Sequence, residues 1–412
     1  MKNKIVFVEA NTTGTGMLAI KIALDLGFEA VLLTTNKNIY KGISGLGCRV
    51  IDINTNSIEA IKNCIIQENV EKIAGILTTS DFYLETVAEL VEEFKLRGNK
   101  RHSIRICRNK ATFRKKLSEK NILQPRFNIL RSVNYLKILR SSIQTPCVVK
   151  PAEGSGSNDV RLCSSWEEIE YMTNKILKNK LNARGQEIQN TVLIEEFIEG
   201  PEYSVEMFSW EGHSICVGIT EKRLTGFPYF VESGHIFPSS LPENVKLEIE
   251  QTVKRALQAV GFQFGASHSE IKWTPEGCVI IEINARLAGG MIPELIRYST
   301  GVDLLKQQLL TSVSVAPDWK KIKHENYAGI HFLTSKKSGI LTEIIGIDKV
   351  SRLSYVKEIV INNKIGQTVE KPENFSHRLG HVIVQGKTYD EVSEFLEEIE
   401  KNLEVEVMEQ NE

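Results

Sequence analysis

The sequence lacks paired cysteines, an excess of charge and any long apolar run, and each absence excludes a class of protein. Its seven cysteines are scattered and include no C-x-x-C pair, which argues against a disulfide framework and a zinc site. The 51 basic and 52 acidic residues leave a formal net charge of −1, so nothing indicates a nucleic-acid partner. The apolar run at the amino terminus ends at Glu9, too early for a signal peptide, and no stretch approaches a membrane span. We therefore expect a cytoplasmic protein that binds neither nucleic acid nor membrane.

The length of 412 residues is too great for one hydrophobic core and predicts several domains. Residues 1–107 alternate short β-branched runs with amphipathic stretches, a pattern typical of a doubly wound parallel α/β sheet. From Pro146 onward the predicted strands are longer and joined by hairpin-like turns, which indicates an α+β region with an antiparallel or mixed sheet. We place the domain boundaries at 107/108 and 312/313, so that residues 313–412 form a small closing α+β domain.

A first glycine-rich turn, at residues 12–16, joins the first strand to the first helix. Such a turn often meets a phosphate, because the amides at a helix start point outward. The dinucleotide fingerprint is incomplete, since Ala19 occupies the place of its third glycine and no acid follows the second strand. We interpret the turn as a tight connection near a substrate pocket, with a nicotinamide-dependent oxidoreductase as an alternative.

A second loop of small residues is more informative. The apolar strand at 147–150 ends on Lys150 and opens into Gly154-Ser155-Gly156-Ser157. A charge at the end of a buried strand is costly unless an anion meets it, and small residues let backbone amides approach phosphate oxygens. The Walker order G-x-x-x-x-G-K-[ST] is absent, so the loop predicts a phosphate contact of another kind or, alternatively, a surface hairpin.

A strand at 192–197 runs into Glu195-Glu196-Phe197-Ile198, turns at Gly200-Pro201 and resumes as a strand. Adenine needs an acceptor for its exocyclic amine, a backbone donor and acceptor for its edge, and flat apolar cover. A strand-to-turn hinge of this composition offers all three, and Glu202 beyond the turn is placed to accept from ribose hydroxyls. The alternative is an ordinary β-turn with solvated acids.

The strongest signal lies on two neighbouring predicted strands, at 267–273 and 278–284. Because strand side chains alternate, Glu282, Asn284 and Arg286 share one face, and Glu270 lies on the preceding strand. Two carboxylates and an amide oxygen form a hard oxygen site suited to Mg²⁺ that carries phosphates. The alternative is a half-exposed strand with a polar outer face.

Taken in this order, and together with Lys110, these segments resemble the ATP-grasp superfamily, and the resemblance spans the whole chain. It implies two lobes, about 108–190 and 191–312, that grip ATP and one or two Mg²⁺ ions, with Mn²⁺ as an alternative metal. Glu270, Glu282 and Asn284 would hold the metal. The residues that it assigns to the nucleotide are Lys110, Lys150, Gly154, Ser155, Gly156, Ser157, Glu195, Glu196, Phe197, Ile198 and Glu202. Members of the superfamily phosphorylate a carboxylate to an acyl phosphate, which a nucleophile then attacks.

Within the superfamily, the segments 230–239, 286–290 and 329–332 are similar to those of bacterial L-amino-acid ligases. The resemblance implies carboxylate and amine substrates, with Arg286, Lys150 and His235 as catalytic residues. Substrate contacts would come from His235, Glu232, Arg286, Gly289 and Gly290, and Lys222 is a weaker candidate. Ligases of the biotin-carboxylase or purine-pathway type and a non-catalytic ATP-binding protein are the alternatives, and a homodimer is left open.

Overall fold

The computed structural model describes residues 3–12, 15–154, 156–225, 228–319 and 322–409, with Thr225 described by its backbone alone. Several helices begin at a residue whose side chain accepts a hydrogen bond from a backbone amide of the first turn, including Ser57, Asn109, Ser165, Asp303 and Thr388. The helices are α1 Thr15–Asp25, α2 Ile58–Gln67, α3 Leu84–Glu93, α4 Arg101–Arg108, α5 Lys110–Glu119, α6 Asn134–Ile138, α7 Trp166–Lys178, α8 Glu243–Val260, α9 Ile292–Thr300, α10 Leu304–Ser312, α11 Ile347–Ser351 and α12 Tyr389–Asn402.

The amino-terminal sheet is parallel, with strand order β3-β2-β1-β4. Its strands are β1 Lys4–Val8, β2 Glu29–Thr34, β3 Arg49–Asp52 and β4 Ile73–Leu77. Residues 5–8 are all fully buried, because alternate side chains pack into different cores on the two faces of the sheet. This confirms the predicted doubly wound parallel α/β architecture, and only β3 was missed.

A small antiparallel sheet follows, with strand order β5-β8-β6-β7. Its strands are β5 Phe127–Leu130, β6 Cys147–Pro151, β7 Arg161–Cys163 and β8 Val192–Glu196. Helix α7 covers one face through the buried side chains of Ile169, Met172 and Ile176. The sheet therefore delivers Lys150 and Glu195 from adjacent strands.

The largest sheet has eight strands in the order β13-β12-β9-β10-β11-β14-β18-β16. Its strands are β9 Glu202–Trp210, β10 His213–Thr225, β11 Val231–Phe237, β12 Gly265–Thr274, β13 Gly277–Asn284, β14 Tyr327–Leu333, β16 Val356–Ile361 and β18 Gly380–Gly386. All neighbouring strands in this sheet pair antiparallel, as predicted for the region after Pro146. The sheet continues across the predicted boundary at 312/313, because β14 pairs directly with β11.

A three-stranded sheet, β17-β15-β19, completes the described chain, with β15 Gly339–Ile345, β17 Thr368–Val369 and β19 Glu404–Met408. Helix α12 packs on β11, β14 and β18 of the large sheet through Val392, Leu396 and Ile399. Apolar periodicity over 293–312 predicts one helix, but the structure has two, since Gly301, with φ of +74°, ends α9 and separates it from α10. Within the described ranges, no helix combines the length and apolar character needed to cross a bilayer.

Candidate active site

A cavity of about 340 Å³ lies between the hinge after β8 and the strands β9, β10 and β12. Phe197, Leu224 and the hinge Gly200-Pro201 supply apolar cover, and the Lys272 ammonium lies 5.0 Å from the centre of the Phe197 ring. Glu202 and Lys222 line the same space. The hinge lies between β8 and β9, and the Pro201 carbonyl oxygen accepts from the Trp273 amide of β12 at 3.1 Å. The cavity therefore brings together Phe197 and Glu202, two of the residues predicted to contact adenine and ribose.

Lys150 and Glu195 form an ion pair between the adjacent strands β6 and β8. Lys150 Nζ is 2.6 Å from Glu195 Oε2, and Arg114 Nε is 2.6 Å from Glu195 Oε1. Burial alone would raise the pKa of Glu195, but Arg114 and Lys150 outweigh it and hold that pKa at about 2. The carboxylate, predicted to accept from the adenine amine, is 3% exposed and is engaged by these two cations. In this arrangement Glu195 fixes Lys150, and an adenine contact of its carboxylate stays a prediction.

Arg114 also joins the two lobes. Its guanidinium donates to the backbone oxygens of Ile280, at 3.0 Å, and Ile281, at 2.7 Å, on β13. It lies one helical turn after Lys110 on α5, so the two cations share a helix face. This spacing is the signal by which the sequence could have identified Arg114, which was missed.

Glu270 and Glu282 lie opposite each other on β12 and β13, as predicted, next to a register shift. Lys110 Nζ lies 3.2 Å from Glu282 Oε2 and 3.3 Å from the Gly154 carbonyl oxygen. Asn284 Nδ2 donates to Glu282 Oε1 at 2.8 Å, which leaves the amide oxygen of Asn284 for another partner. Burial alone would raise the pKa of Glu282, but Lys110 and Asn284 outweigh it and hold that pKa far below its usual value.

This donor set fits a divalent cation chemically, since it offers two carboxylates on adjacent strands and one amide oxygen. The described residues contain no group of three His, Cys, Asp or Glu side chains that could hold a metal, so the amide of Asn284 is an essential part of the predicted set.

Lys222 lies at the centre of a second charge cluster. Its Nζ is 2.6 Å from Glu202, 3.0 Å from Glu232 and 3.0 Å from Glu270, and its side chain is 3% exposed. Burial disfavours the ammonium, but the three carboxylates outweigh it and raise the pKa of Lys222 well above its usual value. Lys222 thus links the predicted ribose contact, a predicted metal ligand and a predicted substrate contact.

His268 extends this cluster. Its Nδ1 is 2.7 Å from Glu206 Oε1, and its Nε2 is 3.4 Å from Glu270 Oε1. Burial opposes protonation, but the two acids raise the pKa of His268 to about 10. The imidazole is therefore charged at neutral pH and adds a second cation beside Glu270.

His235, predicted to contact substrate, is fully buried behind Glu232. Burial lowers the pKa of His235 to about 3, so the ring is neutral at pH 7, and neither ring nitrogen has a hydrogen-bond partner within the described ranges. Gly290 faces it closely, since a Cβ there would lie 2.7 Å from His235 Nε2. The structure thus brings His235, Glu232 and Gly290 together, but leaves His235 inaccessible to a ligand in this conformation.

Glu232 receives a further cation from the carboxy-terminal region. Arg378 Nη2 lies 2.6 Å from Glu232 Oε2, and the guanidinium carbon lies 3.6 Å from the centre of the Phe332 ring. Burial opposes ionisation, but Lys222 and Arg378 outweigh it and lower the pKa of Glu232 well below its usual value. Arg378 was missed because its sequence neighbours carry no recognisable motif.

Arg286 is held from the amino-terminal domain. Its Nε donates to Asp81 Oδ1 at 2.6 Å, and its Nη1 donates to the Leu287 carbonyl oxygen at 2.7 Å. Burial alone would lower the pKa of Arg286, but Asp81 outweighs it, with smaller contributions from Glu282 and Glu270, and that pKa is raised. Asp81 was not identified from the sequence.

The loop at 154–157 borders a second cavity, of about 640 Å³, together with α7 and residues 179–183. Gly154 and Ser157 line it, and Gly156, with φ of +68°, lies against the Phe375 ring, which would clash with a Cβ there.

Ser155 lies outside the described residues, as do Thr13 and Gly14 of the first glycine turn. Glu196 pairs with Arg126 at the lobe surface. Of the remaining predicted residues, Ile198 follows β8, and Gly289 lies beside Gly290 before α9.

Comparison with known proteins gives two domain matches. The ATP-grasp domain matches residues 143–294, and L-amino acid ligase C-terminal domain 2 matches residues 331–408. The uncharacterized protein y4rH of Sinorhizobium fredii is 27% identical over 385 residues, which cover 93% of this chain and 78% of that protein. The alanine–anticapsin ligase of Bacillus subtilis is 27% identical over 271 residues, which cover 60% of this chain and only 56% of that enzyme.

The fold is shared more widely than the sequence. The crystal structure of an L-amino acid ligase from Bacillus licheniformis matches with a TM-score of 0.84 at 22% identity, over 99% of both chains. The domain match and the ligase relatives make the chain an ATP-grasp ligase, a member of a class of enzymes that form C–N bonds. Within that class its carboxy-terminal region is similar to that of the L-amino acid ligases.

Proposed function

We propose that the chain activates the carboxylate of one amino acid with ATP, as an acyl phosphate, and couples it to the amine of a second amino acid. ADP and phosphate would be released. The observation that carries the proposal is the meeting of three groups in one cleft: Lys110 at 3.2 Å from Glu282, Glu270 opposite Glu282, and Arg286 beside both acids.

A carboxylate is a poor electrophile, because its leaving group would be oxide. Transfer of the γ-phosphoryl group gives a mixed anhydride with a good leaving group, and the protein's part is positioning and charge neutralisation. Lys110 and Lys150 are placed to neutralise phosphate oxygens. Lys150 can turn to a phosphate without leaving Glu195 unpaired, because Arg114 contacts both oxygens of that carboxylate.

Glu270, Glu282 and the amide oxygen of Asn284 would hold Mg²⁺, which when bound supplies positive charge to the β- and γ-phosphates. In the structure Lys110 and Lys222 neutralise these two carboxylates. Their ammonium groups keep both acids ionised and therefore ready to coordinate a cation.

Arg286 is proposed to hold the acyl phosphate and then the tetrahedral intermediate. Two of its donors bind Asp81 and Leu287, and within the described part of the chain Nη2 donates no hydrogen bond. A guanidinium donor aimed at developing negative charge lowers the barrier, typically by about 3 kcal/mol.

The amino-acid part of the proposal is supported by the relatives. The carboxy-terminal domain is that of L-amino acid ligases, and one relative is named for joining alanine to anticapsin. Which two amino acids this chain joins is left to experiment.

The first test is a matrix of amino-acid pairs assayed for phosphate release with Mg·ATP, with mass spectrometry of the product. The expected result is stoichiometric ADP, phosphate and a dipeptide for a subset of pairs. Release of AMP and pyrophosphate would contradict the acyl phosphate. Phosphate release only with other acids would point to a ligase for a different carboxylate.

The second test is Arg286→Ala. Because Arg286 is proposed to act on the acyl phosphate, we expect ligation to fall about 100-fold or more while ATP affinity stays nearly unchanged. ATP affinity is measured by calorimetry on the same preparation. Lost ATP affinity in a folded variant would assign Arg286 to the nucleotide instead.

A further inference from the structure

The amino-terminal domain reaches the candidate active site through one acid. Asp81 begins a short 3₁₀ turn just after β4, at the carboxyl edge of the parallel sheet, more than 200 residues before Arg286 in the sequence. Its Oδ1 accepts from Arg286 Nε at 2.6 Å. Both side chains are mostly buried, with 14% of Asp81 and 20% of Arg286 exposed. The contact is therefore shielded from solvent and short.

The loop that carries Asp81 is itself fixed at the ends of β1 and β4. Thr78 Oγ1 donates to the Glu9 carbonyl oxygen at 3.2 Å and accepts from the Ser80 amide at 3.0 Å. The Asn11 amide donates to Thr79 Oγ1 at 2.9 Å. Two of these bonds join the loop, which follows the edge strand β4, to residues 9 and 11 after the neighbouring strand β1, so the amino-terminal domain fixes the loop that carries Asp81.

Asp81 also separates two cations. Arg108, at the end of α4, approaches the same oxygen, with Nη1 at 3.4 Å. Burial opposes ionisation, but Arg286 and Arg108 lower the pKa of Asp81, so the acid is charged across the physiological range. Without this charge, two guanidinium groups would face each other in a partly buried site and would repel.

The directions of the Arg286 donors follow from these contacts. A guanidinium is planar, so anchoring Nε on Asp81 and Nη1 on the Leu287 carbonyl leaves Nη2 as the outward donor. The paired acids Glu282 and Glu270 lie close enough to influence the pKa of Arg286. The amino-terminal contact therefore sets where the free donor lies relative to the paired carboxylates.

We propose that Asp81 is a positioning residue for the ligation reaction and that it acts through Arg286. The inference rests on the proposed function, because it assigns Asp81 to the arginine that would bind the acyl phosphate. The competing explanation is a docking contact that only holds the amino-terminal domain to the rest of the chain. The two differ in what they predict for turnover in a fully folded variant.

The test compares Asp81→Asn with the wild-type chain in the amino-acid ligation assay. Asparagine keeps the shape and one acceptor oxygen but removes the charge. Because small displacements of a positioned group cost turnover steeply, we expect kcat to fall about 10- to 100-fold. KM for ATP should change less than about threefold, since ATP binding uses other residues. Glu85→Gln is the matched control, because Glu85 pairs with Arg101 on the surface of the same domain.

A double-mutant cycle separates positioning from docking. Arg286→Lys keeps a positive charge but loses the planar donor that Asp81 holds. If Asp81 acts through Arg286, adding Asp81→Asn to Arg286→Lys should cost less than about threefold further activity. A docking role predicts the same fold-loss in both backgrounds.

The outcomes distinguish this inference from the proposed function. If the wild-type chain ligates and Asp81→Asn is within twofold of it, or if the variant loses its cooperative thermal transition, Asp81 is not a positioning residue and the function stands. Equal losses in the two backgrounds would also overturn the inference. If no amino-acid pair gives product with the wild-type chain, the proposed function fails first.

Discussion

Two buried lysines, Lys150 in the small lobe and Lys222 in the large sheet, sit in opposite electrostatic settings. Lys150 shares a single carboxylate with Arg114, and burial lowers its pKa, with Arg114 and Lys110 acting in the same direction. Lys222 contacts three carboxylates, which raise its pKa despite burial. The acid partner of Lys150 is therefore also neutralised by Arg114, whereas Lys222 is shared by three acids.

The difference indicates that the two lysines have different roles. A lysine whose acid has another cation can move to a phosphate at little cost, which suits a ligand contact. A lysine that bridges three acids cannot move without weakening three ion pairs at once, which suits a scaffold. The three acids, Glu202, Glu232 and Glu270, come from three different strands, so Lys222 also fixes the geometry of the candidate site.

Lys222→Met should give the largest effect. Removing the shared cation leaves Glu202 without its ion-pair partner and weakens the compensation of Glu232 and Glu270, so we expect the free energy of unfolding to fall by about 3–5 kcal/mol. Urea titration at pH 7 measures the change. Lys254→Met, which breaks a surface pair with Glu250 on α8, is the control and should cost less than about 1 kcal/mol. If Lys222→Met lowers the free energy of unfolding as little as the control does, Lys222 does not hold the three acids in place.

Lys150→Met should affect stability less and binding more. Arg114 still contacts both oxygens of Glu195, so we expect the free energy of unfolding to fall by only about 1–2 kcal/mol. ATP affinity, measured by calorimetry, should fall about tenfold or more, because a phosphate contact is lost. If the variant binds ATP normally, Lys150 has a structural role, as Lys222 does, and does not contact the nucleotide.

The sequence predicts much of the framework, because apolar periodicity and turn chemistry are local. The parallel sheet, the helix at 243–260 and the strand at 356–361 follow directly from such patterns. The pairing of Glu270 with Glu282 was also predictable, since consecutive strands joined by a tight turn usually pair. The strand β11 was not recognised as a strand, because it mixes polar and apolar residues where it passes through the site.

The partners of the site residues were much harder to predict. Asp81, Arg114 and Arg378 approach from three different regions of the chain, and each meets an acid or arginine more than 80 residues away. Charged side chains carry no periodic signal that names a distant partner. Sequence reasoning therefore located the candidate ligands of ATP but not the residues that hold them in place.

The smallest expected effect concerns His268, the second cation beside Glu270. Its pKa is about 10 in the folded chain, against about 6.5 for an unperturbed histidine, so the folded state holds a proton that the unfolded state releases. The stabilisation is fully present below about pH 6.5 and is lost as the pH rises through about 10. Between pH 7 and 8 this one proton is worth about 1 kcal/mol.

His268→Gln should remove that slope, because glutamine does not titrate. The measurement is the free energy of unfolding at pH 7, 8 and 9, where the wild-type chain should lose more stability than the variant at each step. His213→Gln, at an exposed position at the start of β10, is the matched control and should keep the wild-type slope. Parallel curves for the wild-type chain and His268→Gln would mean that His268 is uncharged. Within the described ranges, Glu270 would then keep Lys222 as its cationic partner, which would strengthen the scaffold role of that lysine.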